Sequence, residues 1–257
     1  MDAIYILKHS PHDDFEICHS LRSLAAFVPY IRKVWVFGDR PAFLSDDKSL
    51  IEHVPHSYMA GPFGFKTPVC NIFLLTLLSA MIPEVADEFL WFCDDFYLLK
   101  PFPREEAVKD RYFEDMAKIR TRARGAWIDS VWRTYDVLTR LGYTGYNFEN
   151  HVPTYMKKKW VWEAYCDLKI FITQERFTGI CGQSGILNHS LRREPRSIYD
   201  LKAENSRCGY YGTPPNYERV VAEAEGKQFF SFDDPAFGPA IRRFLEERFP
   251  DKSKYEK

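Results

Sequence analysis

The sequence predicts an α/β fold with a mainly parallel sheet flanked by helices, and three observations favour this class. Short apolar runs rich in β-branched and aromatic residues recur through the first 100 residues. Segments with apolar residues at helical spacing separate several of these runs, which is the rhythm of a parallel sheet with crossover helices. One run, "EFLWFCDDFYLLKPF" at 88–102, carries two adjacent aspartates in its middle.

The first elements follow the order strand, helix, strand. The run 3–8 ("AIYILK") is β-prone, and residues 15–31 place apolar side chains at helical spacing. The run 33–41 ("KVWVFGDRP") predicts a second buried strand, which Gly38 and Pro41 end.

The next elements complete the pattern. Residues 50–56 ("LIEHVPH") indicate a third short strand, and the strongly apolar 69–82 predicts a packed helix that ends before Pro83. The aspartate-bearing run 88–102 then supplies a further strand. The rhythm becomes less regular after Pro103.

The length and composition indicate one compact domain over 1–257, with a regular half (1–103) and a less regular half (104–257). A chain that is 46% hydrophobic and 16% aromatic has ample material for one large core. The sequence has no run of about 18 apolar residues, so it predicts no membrane-spanning helix.

The charge and the cysteines restrict the class of protein further. A net charge of −1 excludes a polybasic protein, so nucleic-acid binding would need a local patch. The N-terminal residues lack the pattern of a signal peptide. The six cysteines are scattered and form no CxxC pair: Cys18, Cys70, Cys93, Cys166, Cys181 and Cys208. Together with the missing signal peptide, this predicts reduced thiols and a cytoplasmic protein.

Asp94 and Asp95 are the first candidates for a functional site. Buried carboxylates without a partner are costly, so the pair should lie at the carboxyl end of its strand, where open α/β sheets bind ligands. Mg²⁺ and Mn²⁺ prefer carboxylate oxygens and share their coordination with substrate phosphates. The pair therefore favours a divalent-cation site, with ordinary surface aspartates as the alternative.

Two stretches of the chain resemble glycosyltransferases of the GT-A fold. Residues 16–36 match the pattern "E-x-x-x-S-L-R-S-L…I-R-K-V-(W/Y)-(V/I)" of Stealth-type sugar-phosphate transferases. The aspartate run resembles their "(N/S)-D-D-x-(F/Y)-L", with Cys93 in place of the usual polar residue. "FFSFDDPAF" near the C-terminus is similar to small phage-encoded sugar transferases, a group that includes enzymes acting on hydroxymethylated DNA bases.

The resemblance implies a GT-A fold whose half 1–103 binds a nucleoside-diphosphate sugar, such as a UDP-sugar, and whose half 104–257 binds the acceptor. It implies Mn²⁺ or Mg²⁺ on the diphosphate, with Asp95 as a direct ligand and Asp94 as a ribose contact or second ligand. The other donor-side candidates are Lys8, Arg22, Asp39, Lys66 and Asn71. Ordinary solvation, capping, or for Arg22 an ion pair with Glu16, are the alternatives for these residues.

Four residues of the second half are candidates for chemistry. The resemblance implies that His189 completes the metal site and that His151 lies near the acceptor, and ordinary packing is the alternative for both. Asp233 and Asp234 could deprotonate an acceptor hydroxyl. The sequence "SFDDPAF" equally suits a helix N-cap.

A basic stretch bears on the identity of the acceptor. Residues 117–140 carry six basic and two acidic side chains, with Trp127 and Trp132 interleaved. They suit either an active-site lid or an arm that contacts DNA phosphates and stacks on bases. The nucleic-acid candidates are Arg120, Arg122, Arg124, Trp127, Lys157, Arg192 and Arg193.

These observations favour a metal-dependent glycosyltransferase that acts on a hydroxyl acceptor, with a 5-hydroxymethylpyrimidine base in DNA as the preferred acceptor. A Stealth-like transferase that acts on capsule or cell-wall glycan is the first alternative. A non-catalytic nucleic-acid-binding module on a decayed transferase fold is the second, and the intact Asp94–Asp95 pair disfavours it.

Overall fold

Strands and helices alternate along the computed structural model of the chain, which describes residues 1–119 and 125–257. The strands are β1 (Asp2–Leu7), β2 (Val34–Gly38), β3 (Ile51–Val54), β4 (Glu88–Cys93), β5 (Phe96–Leu98), β6 (Asp110–Tyr112), β7 (Glu114–Asp115), β8 (Tyr146–Asn147), β9 (Thr154–Lys157), β10 (Ile198–Asp200), β11 (Arg207–Tyr210) and β12 (Phe229–Phe232). The helices are α1 (Phe15–Phe27), α2 (His56–Phe63), α3 (Ile72–Ala80), α4 (Arg104–Ala107), α5 (Ala126–Arg140), α6 (Lys158–Leu168), α7 (Gly182–Arg193), α8 (Leu201–Glu204), α9 (Tyr217–Ala224) and α10 (Pro239–Arg248).

The central sheet has five strands in the order β3-β2-β1-β4-β9. The first four are parallel, and β9 runs antiparallel to β4. Every residue of β1 and β2 is buried, which explains why both strands read as continuous apolar runs in the sequence. The predicted α/β class with a mainly parallel sheet is confirmed, and α1 and α3 are the two predicted crossover helices.

The run 88–102 forms two strands instead of the single strand that the sequence predicts. β4 ends at Cys93, and the chain turns at Asp94 and Asp95 before β5 begins. β5 joins a second, three-stranded sheet of order β11-β12-β5, in which it is antiparallel to β12. The aspartate turn therefore connects the central sheet to the second sheet.

Helix α1 fixes the position of this turn. The Ser20 hydroxyl lies 3.0 Å from the Tyr5 hydroxyl of β1 and donates to the Phe96 carbonyl of β5. The Leu98 N–H donates to the Ser23 hydroxyl at 3.2 Å. Because these polar groups are buried, any of them left without a hydrogen-bond partner would destabilise the fold. The serines of "SLRSL" thus hold the beginning of β5.

A buried carboxylate joins the strands at the opposite end of the central sheet. Asp2 is fully buried and accepts both Nε and Nη2 of Arg32, at 2.8 and 2.6 Å. The Trp35 indole N–H and the Ala86 backbone N–H also donate to its Oδ2, at 2.8 and 2.9 Å. Asp2 therefore links β1 and β2 to the segment that precedes β4.

No helix within the described ranges is long and apolar enough to cross a membrane.

Replacement of Asp2 tests this network. We expect Asp2→Ala to lower the free energy of unfolding by about 3–5 kcal/mol, because it leaves a guanidinium and two N–H donors without their buried acceptor. Urea denaturation measures the difference. Asp46→Ala is the matched control, since it removes an exposed carboxylate that pairs with Arg40 at 2.7 Å and should cost about 0–1 kcal/mol. Equal losses in the two variants would contradict the role given to Asp2.

Candidate functional site

The aspartate turn lies at the edge of the central sheet where three parallel strands end. Leu7 of β1 is paired with Gly38 of β2, and β4 lies beside β1 on its other side. Asp94 and Asp95, directly after β4, are both partly buried. Because ligands bind beyond the carboxyl ends of strands in sheets of this kind, this edge is the candidate site.

Asp94, Asp95 and Glu16 bring three carboxyl groups close together at this edge of the sheet. Loss of solvent, followed by the charges of Asp95 and Glu16, raises the pKa of Asp94 well above its usual range. Glu16 is 3% exposed; its Oε2 accepts the Ser10 hydroxyl at 2.6 Å, whereas its buried Oε1 has no hydrogen-bond partner. A buried acceptor without a donor is costly. A cation at this edge would relieve both the repulsion and the unpaired acceptor.

His151 faces the same turn. Its Nδ1 lies 3.8 Å from Asp95 Oδ2, beyond hydrogen-bond distance, and this buried nitrogen has no hydrogen-bond partner. The backbone of His151 is left-handed, with φ of 54°. Asn150 fixes the turn, since its Oδ1 accepts the Val152 N–H at 3.2 Å and its Nδ2 donates to the Arg111 carbonyl at 2.6 Å. The protein therefore holds an imidazole nitrogen close to Asp95.

Glu149 is a site residue that the sequence did not reveal. Its Oε1 accepts the Ser184 N–H at 2.9 Å, in the first turn of α7, where the helix dipole favours an anion. Loss of solvent nonetheless raises its pKa. The Glu149 charge also contributes to raising the pKa of the Cys93 thiol, after burial and the two aspartates. Glu149 lies two residues before His151, but this spacing alone gives no signal that α7 would meet the site.

The side chains at this edge suit a hard divalent cation. Asp94 and Asp95 offer carboxylate oxygens, and His151 offers an unpaired nitrogen, a donor set that Mn²⁺ and Mg²⁺ accept in part from protein and in part from substrate oxygens. In residues 1–119 and 125–257, no group of three or more His, Cys, Asp or Glu side chains is arranged to hold a metal ion. An ion bound by the two aspartates would share its coordination shell with substrate oxygens, as Mg²⁺ and Mn²⁺ commonly do.

Two of the predicted donor-side residues lie at the same edge. Lys8 directly follows β1 and is exposed. Asp39 directly follows β2, and its Oδ2 accepts the His9 N–H at 2.8 Å. Lys8 therefore follows the strand next to β4, and Asp39 follows the strand beyond it, at the same end of the sheet as the aspartate turn.

Arg22 and Asn71, two further donor-side candidates, have partners within the protein. Arg22 donates from Nε and Nη2 to the two carboxylate oxygens of Glu256, at 3.0 and 2.8 Å. This bidentate pair anchors the C-terminal segment on α1. Asn71 caps α3, where its Oδ1 accepts the N–H groups of Phe73 and Leu74. These partners favour the structural alternatives for both residues, and their contacts with a donor stay predictions.

His189 does not join the aspartates. It is fully buried on α7, and its Nε2 lies 2.9 Å from Asp167 Oδ2 on α6. Asp167 also pairs with Arg193 at 2.9 Å. The expected metal set of Asp94, Asp95 and His189 is not assembled, because the buried face of α7 places this imidazole against α6.

Asp233 has the capping role that the sequence offered as an alternative, whereas the role of Lys66 stays a prediction. Asp233 accepts the Ala236 N–H at 3.0 Å and the Gly212 N–H at 2.9 Å, so it serves as the cap that was the alternative to a general base. Asp234 is exposed, and its charge contributes to the raised pKa of Asp94. The exposed Lys66 donates only its backbone N–H, to Gln174 at 2.8 Å, and its donor role stays a prediction.

Three of the described basic candidates for nucleic-acid contacts have partners within the protein. Lys157 pairs with Glu194 at 3.1 Å, Arg193 pairs with Asp167, and Arg192 donates to the Leu141 carbonyl. Trp127 is 39% exposed at the start of α5. The remaining candidates, Arg120, Arg122 and Arg124, lie outside the described residues. The carboxylate partners of Lys157 and Arg193 reduce the attraction of these two cations for phosphates.

Comparison with known proteins gives a short sequence match. No protein-family model matches the chain. The capsular polysaccharide phosphotransferase LcbA of Aeromonas hydrophila is 28% identical over 103 residues, which is 39% of this chain and 27% of that protein. The match thus spans about a quarter of the length of this curated relative.

Solved structures are similar over nearly the whole chain. The galactosyltransferase LgtC in complex with donor and acceptor sugar analogs superposes with a TM-score of 0.51 at 15% identity, over 99% of this chain and 98% of that one. An active-site mutant of LgtC gives 0.50 at 14% identity, with the same coverage. The GT-A-type fold that the sequence resemblance implies is therefore confirmed.

The raised pKa of Asp94 predicts a pH dependence of stability. Because the folded pKa exceeds the unfolded value of about 3.9, the folded state holds more protons between these two values. The free energy of unfolding then falls as pH rises through that window. We expect Asp94→Asn to remove this fall, so that without metal the variant is more stable than the wild type above the window.

Urea unfolding at several pH values, with a chelator present, measures this effect. The advantage of Asp94→Asn should disappear towards pH values below about 3.9, where the wild-type carboxyl is protonated in both states. Asp46→Asn is the matched control for the loss of an exposed carboxyl. A constant difference between Asp94→Asn and the wild type at every pH would contradict the raised pKa.

Proposed function

We propose that this protein transfers a sugar or a sugar phosphate from a nucleoside-diphosphate sugar to a hydroxyl acceptor, with a divalent cation as cofactor. The observation that carries the proposal is the turn after β4. It places two carboxylates, the unpaired Glu16 Oε1 and the unpaired His151 Nδ1 at one edge of a GT-A-type sheet. The galactosyltransferase with donor and acceptor analogs supports the choice of fold and the class of chemistry.

The residues of the site divide into three roles. Asp95, Asp94 and His151 would hold Mn²⁺ or Mg²⁺, which, when bound, neutralises the charge that develops on a departing nucleoside diphosphate. Lys8 and Asp39, at the ends of β1 and β2, would contact the donor nucleotide. Asp234, the free member of its pair, would accept the proton of the acceptor hydroxyl. For sugar transfer, the bond between the anomeric carbon and the diphosphate breaks as the acceptor oxygen attacks, and nucleoside diphosphate leaves. For sugar-phosphate transfer, the acceptor oxygen attacks the phosphorus that carries the sugar, the bond between the two phosphates breaks, and nucleoside monophosphate leaves.

A glycan hydroxyl is the acceptor that the structure favours. The described basic side chains that were candidates for DNA contacts pair with carboxylates or donate to a backbone carbonyl. The name of the matched relative points to a capsular polysaccharide. A hydroxymethylpyrimidine base in DNA, for which the base would have to leave the duplex, is the alternative that the acceptor panel below decides.

Asp95→Asn tests the proposed function. We expect the release of nucleoside diphosphate from the preferred nucleotide sugar, with Mn²⁺ present, to fall at least about hundredfold, because one charged ligand at the developing diphosphate is lost. Asp46→Asn should keep the wild-type rate. A panel of nucleotide sugars, with glycan fragments or hydroxymethylated DNA as acceptors, identifies the substrates. Normal turnover by Asp95→Asn would refute the metal role of the turn. Release of nucleoside monophosphate instead of diphosphate would identify sugar-phosphate transfer, and release of neither from any donor would leave a binding module.

His151→Asn separates the imidazole from the backbone that carries it. Asparagine tolerates the left-handed conformation at this position, so the variant should fold with a wild-type thermal midpoint. We expect its affinity for Mn²⁺, measured by electron paramagnetic resonance with nucleoside diphosphate present, to fall about 10-fold or more, since one ligand is lost. His53→Asn, on β3, is the control. Unchanged Mn²⁺ affinity would exclude His151 from the metal site.

A further inference from the structure

An aromatic ring and a guanidinium lie next to His151, on one face of the second sheet. The Tyr211 ring contacts the His151 ring edge to face, with centroids 5.1 Å apart, and remains 41% exposed. Its hydroxyl lies 2.9 Å from Ser231 Oγ and accepts from Arg207 Nη1 at 2.8 Å. Asp95 is close enough to contribute to the raised pKa of Tyr211, after the larger effect of burial. This face therefore continues the candidate site away from Asp95.

Gly209 leaves room for the ring. Arg207, Gly209 and Tyr211 alternate along and just beyond β11, so their side-chain positions share one face. A Cβ on Gly209 would lie 2.9 Å from the Tyr211 ring, closer than carbon atoms pack. The missing side chain allows the Tyr211 ring to fold back towards Arg207, where one side of the ring covers the strand and part of it stays open to solvent.

Arg207 is a cation without an anion. Its Nη1 donates to two neutral acceptors, the Asn150 carbonyl at 2.9 Å and the Tyr211 hydroxyl. Within the part of the chain that the structure describes, no carboxylate lies within ion-pair distance of it. A guanidinium has five N–H donors, so the N–H groups on Nε and Nη2 remain for a ligand. Arg207 is partly buried, and the loss of solvent makes an anionic partner favourable.

Arg207 and Lys202 contact the same aromatic ring, but only Lys202 is paired with a carboxylate in the described part of the chain. The Arg207 guanidinium lies 4.9 Å from the centre of the Phe113 ring, and Lys202 Nζ lies 4.1 Å from the same ring. Lys202 pairs with Glu114 at 2.9 Å, whereas Arg207 has no such partner within the described residues. Arg207 is thus a cation beside the site that has no carboxylate partner among the described residues.

We propose that Tyr211 and Arg207 form an acceptor subsite that selects sugars bearing a carboxylate or a phosphate. The sugar ring packs on the exposed part of the Tyr211 ring, and its anionic group accepts the remaining N–H donors of Arg207, in the forked geometry that suits both anions. A hydroxyl of the same sugar is then directed towards the donor sugar at the aspartate turn. This inference rests on the proposed function, because it names the acceptor of that reaction.

The test compares matched sugars on the wild type and on Arg207→Gln. Glutamine keeps an N–H donor for the Asn150 carbonyl and the Tyr211 hydroxyl but removes the charge. The probes are methyl hexosides, the corresponding uronic acids and the corresponding 6-phosphates. Acceptor-stimulated release of nucleoside diphosphate gives KM for each sugar, and the carboxylate and phosphate sets show which anion is preferred.

We expect the wild type to have a lower KM for one anionic set than for the neutral set. Arg207→Gln should raise the anionic KM about 10- to 100-fold relative to the neutral KM, the range for one hydrogen bond to a charged group. Arg207→Lys should retain part of the preference. Arg219→Gln, which removes an exposed arginine on α9, should leave the KM ratio unchanged. Equal changes for neutral and anionic sugars would show that Arg207 only supports Tyr211 and Asn150, and would overturn the inference.

Calorimetric binding of the same sugars, with Mn²⁺ and nucleoside diphosphate present, measures the subsite independently of turnover. If Arg207→Gln weakens the binding of the anionic sugar, the subsite is supported even when no donor reacts. In that case only the proposed function fails. Binding that Arg207→Gln leaves unchanged would overturn the subsite, whatever the activity. Stimulation by a hydroxymethylated oligonucleotide and by none of the sugars would also overturn it.

Discussion

Uncompensated negative charge at the end of β4 is the constraint around which this site is built. Asp94, Asp95 and Glu16 lie close enough for their charges to raise the pKa of Asp94, and burial denies them the water that would screen this repulsion. The fold keeps them there through hydrogen bonds outside the charge cluster, which join Ser20 and Ser23 of α1 to the backbone of β5. The repulsion is a stability cost that a bound cation would relieve.

The sequence predicted the features that depend on local patterns. Buried parallel strands must be apolar on both faces, so β1, β2 and β4 were recognisable, and a charged pair in such a run could only lie at its end. The turn at Asp94 and Asp95 confirms that reasoning. The departure of β5 into a second sheet was not visible, because Phe96 is as apolar as the residues before it and its partner strand, β12, is more than 130 residues away.

Partners that are distant in sequence determine the contacts of the other candidate residues. Arg22 matched a family pattern, yet Glu256, separated from it by 234 positions, satisfies its guanidinium. His189 met Asp167 because α6 and α7 pack together. The same long-range packing brought Glu149 and Tyr211 to the site without any local motif. The sequence therefore pointed to the end of β4 as the candidate site, while tertiary contacts determine which residues lie around it.

The most direct test of the account is the position of a bound metal. Crystals grown or soaked with Mn²⁺ and a nucleoside diphosphate should show an anomalous peak at coordination distance, about 2 Å, from the carboxylate of Asp95, with the diphosphate oxygens completing the shell. The peak should be absent from Asp95→Asn crystals treated in the same way. A manganese peak elsewhere on the protein, or a bound diphosphate that leaves the aspartate turn without metal, would contradict the central claim.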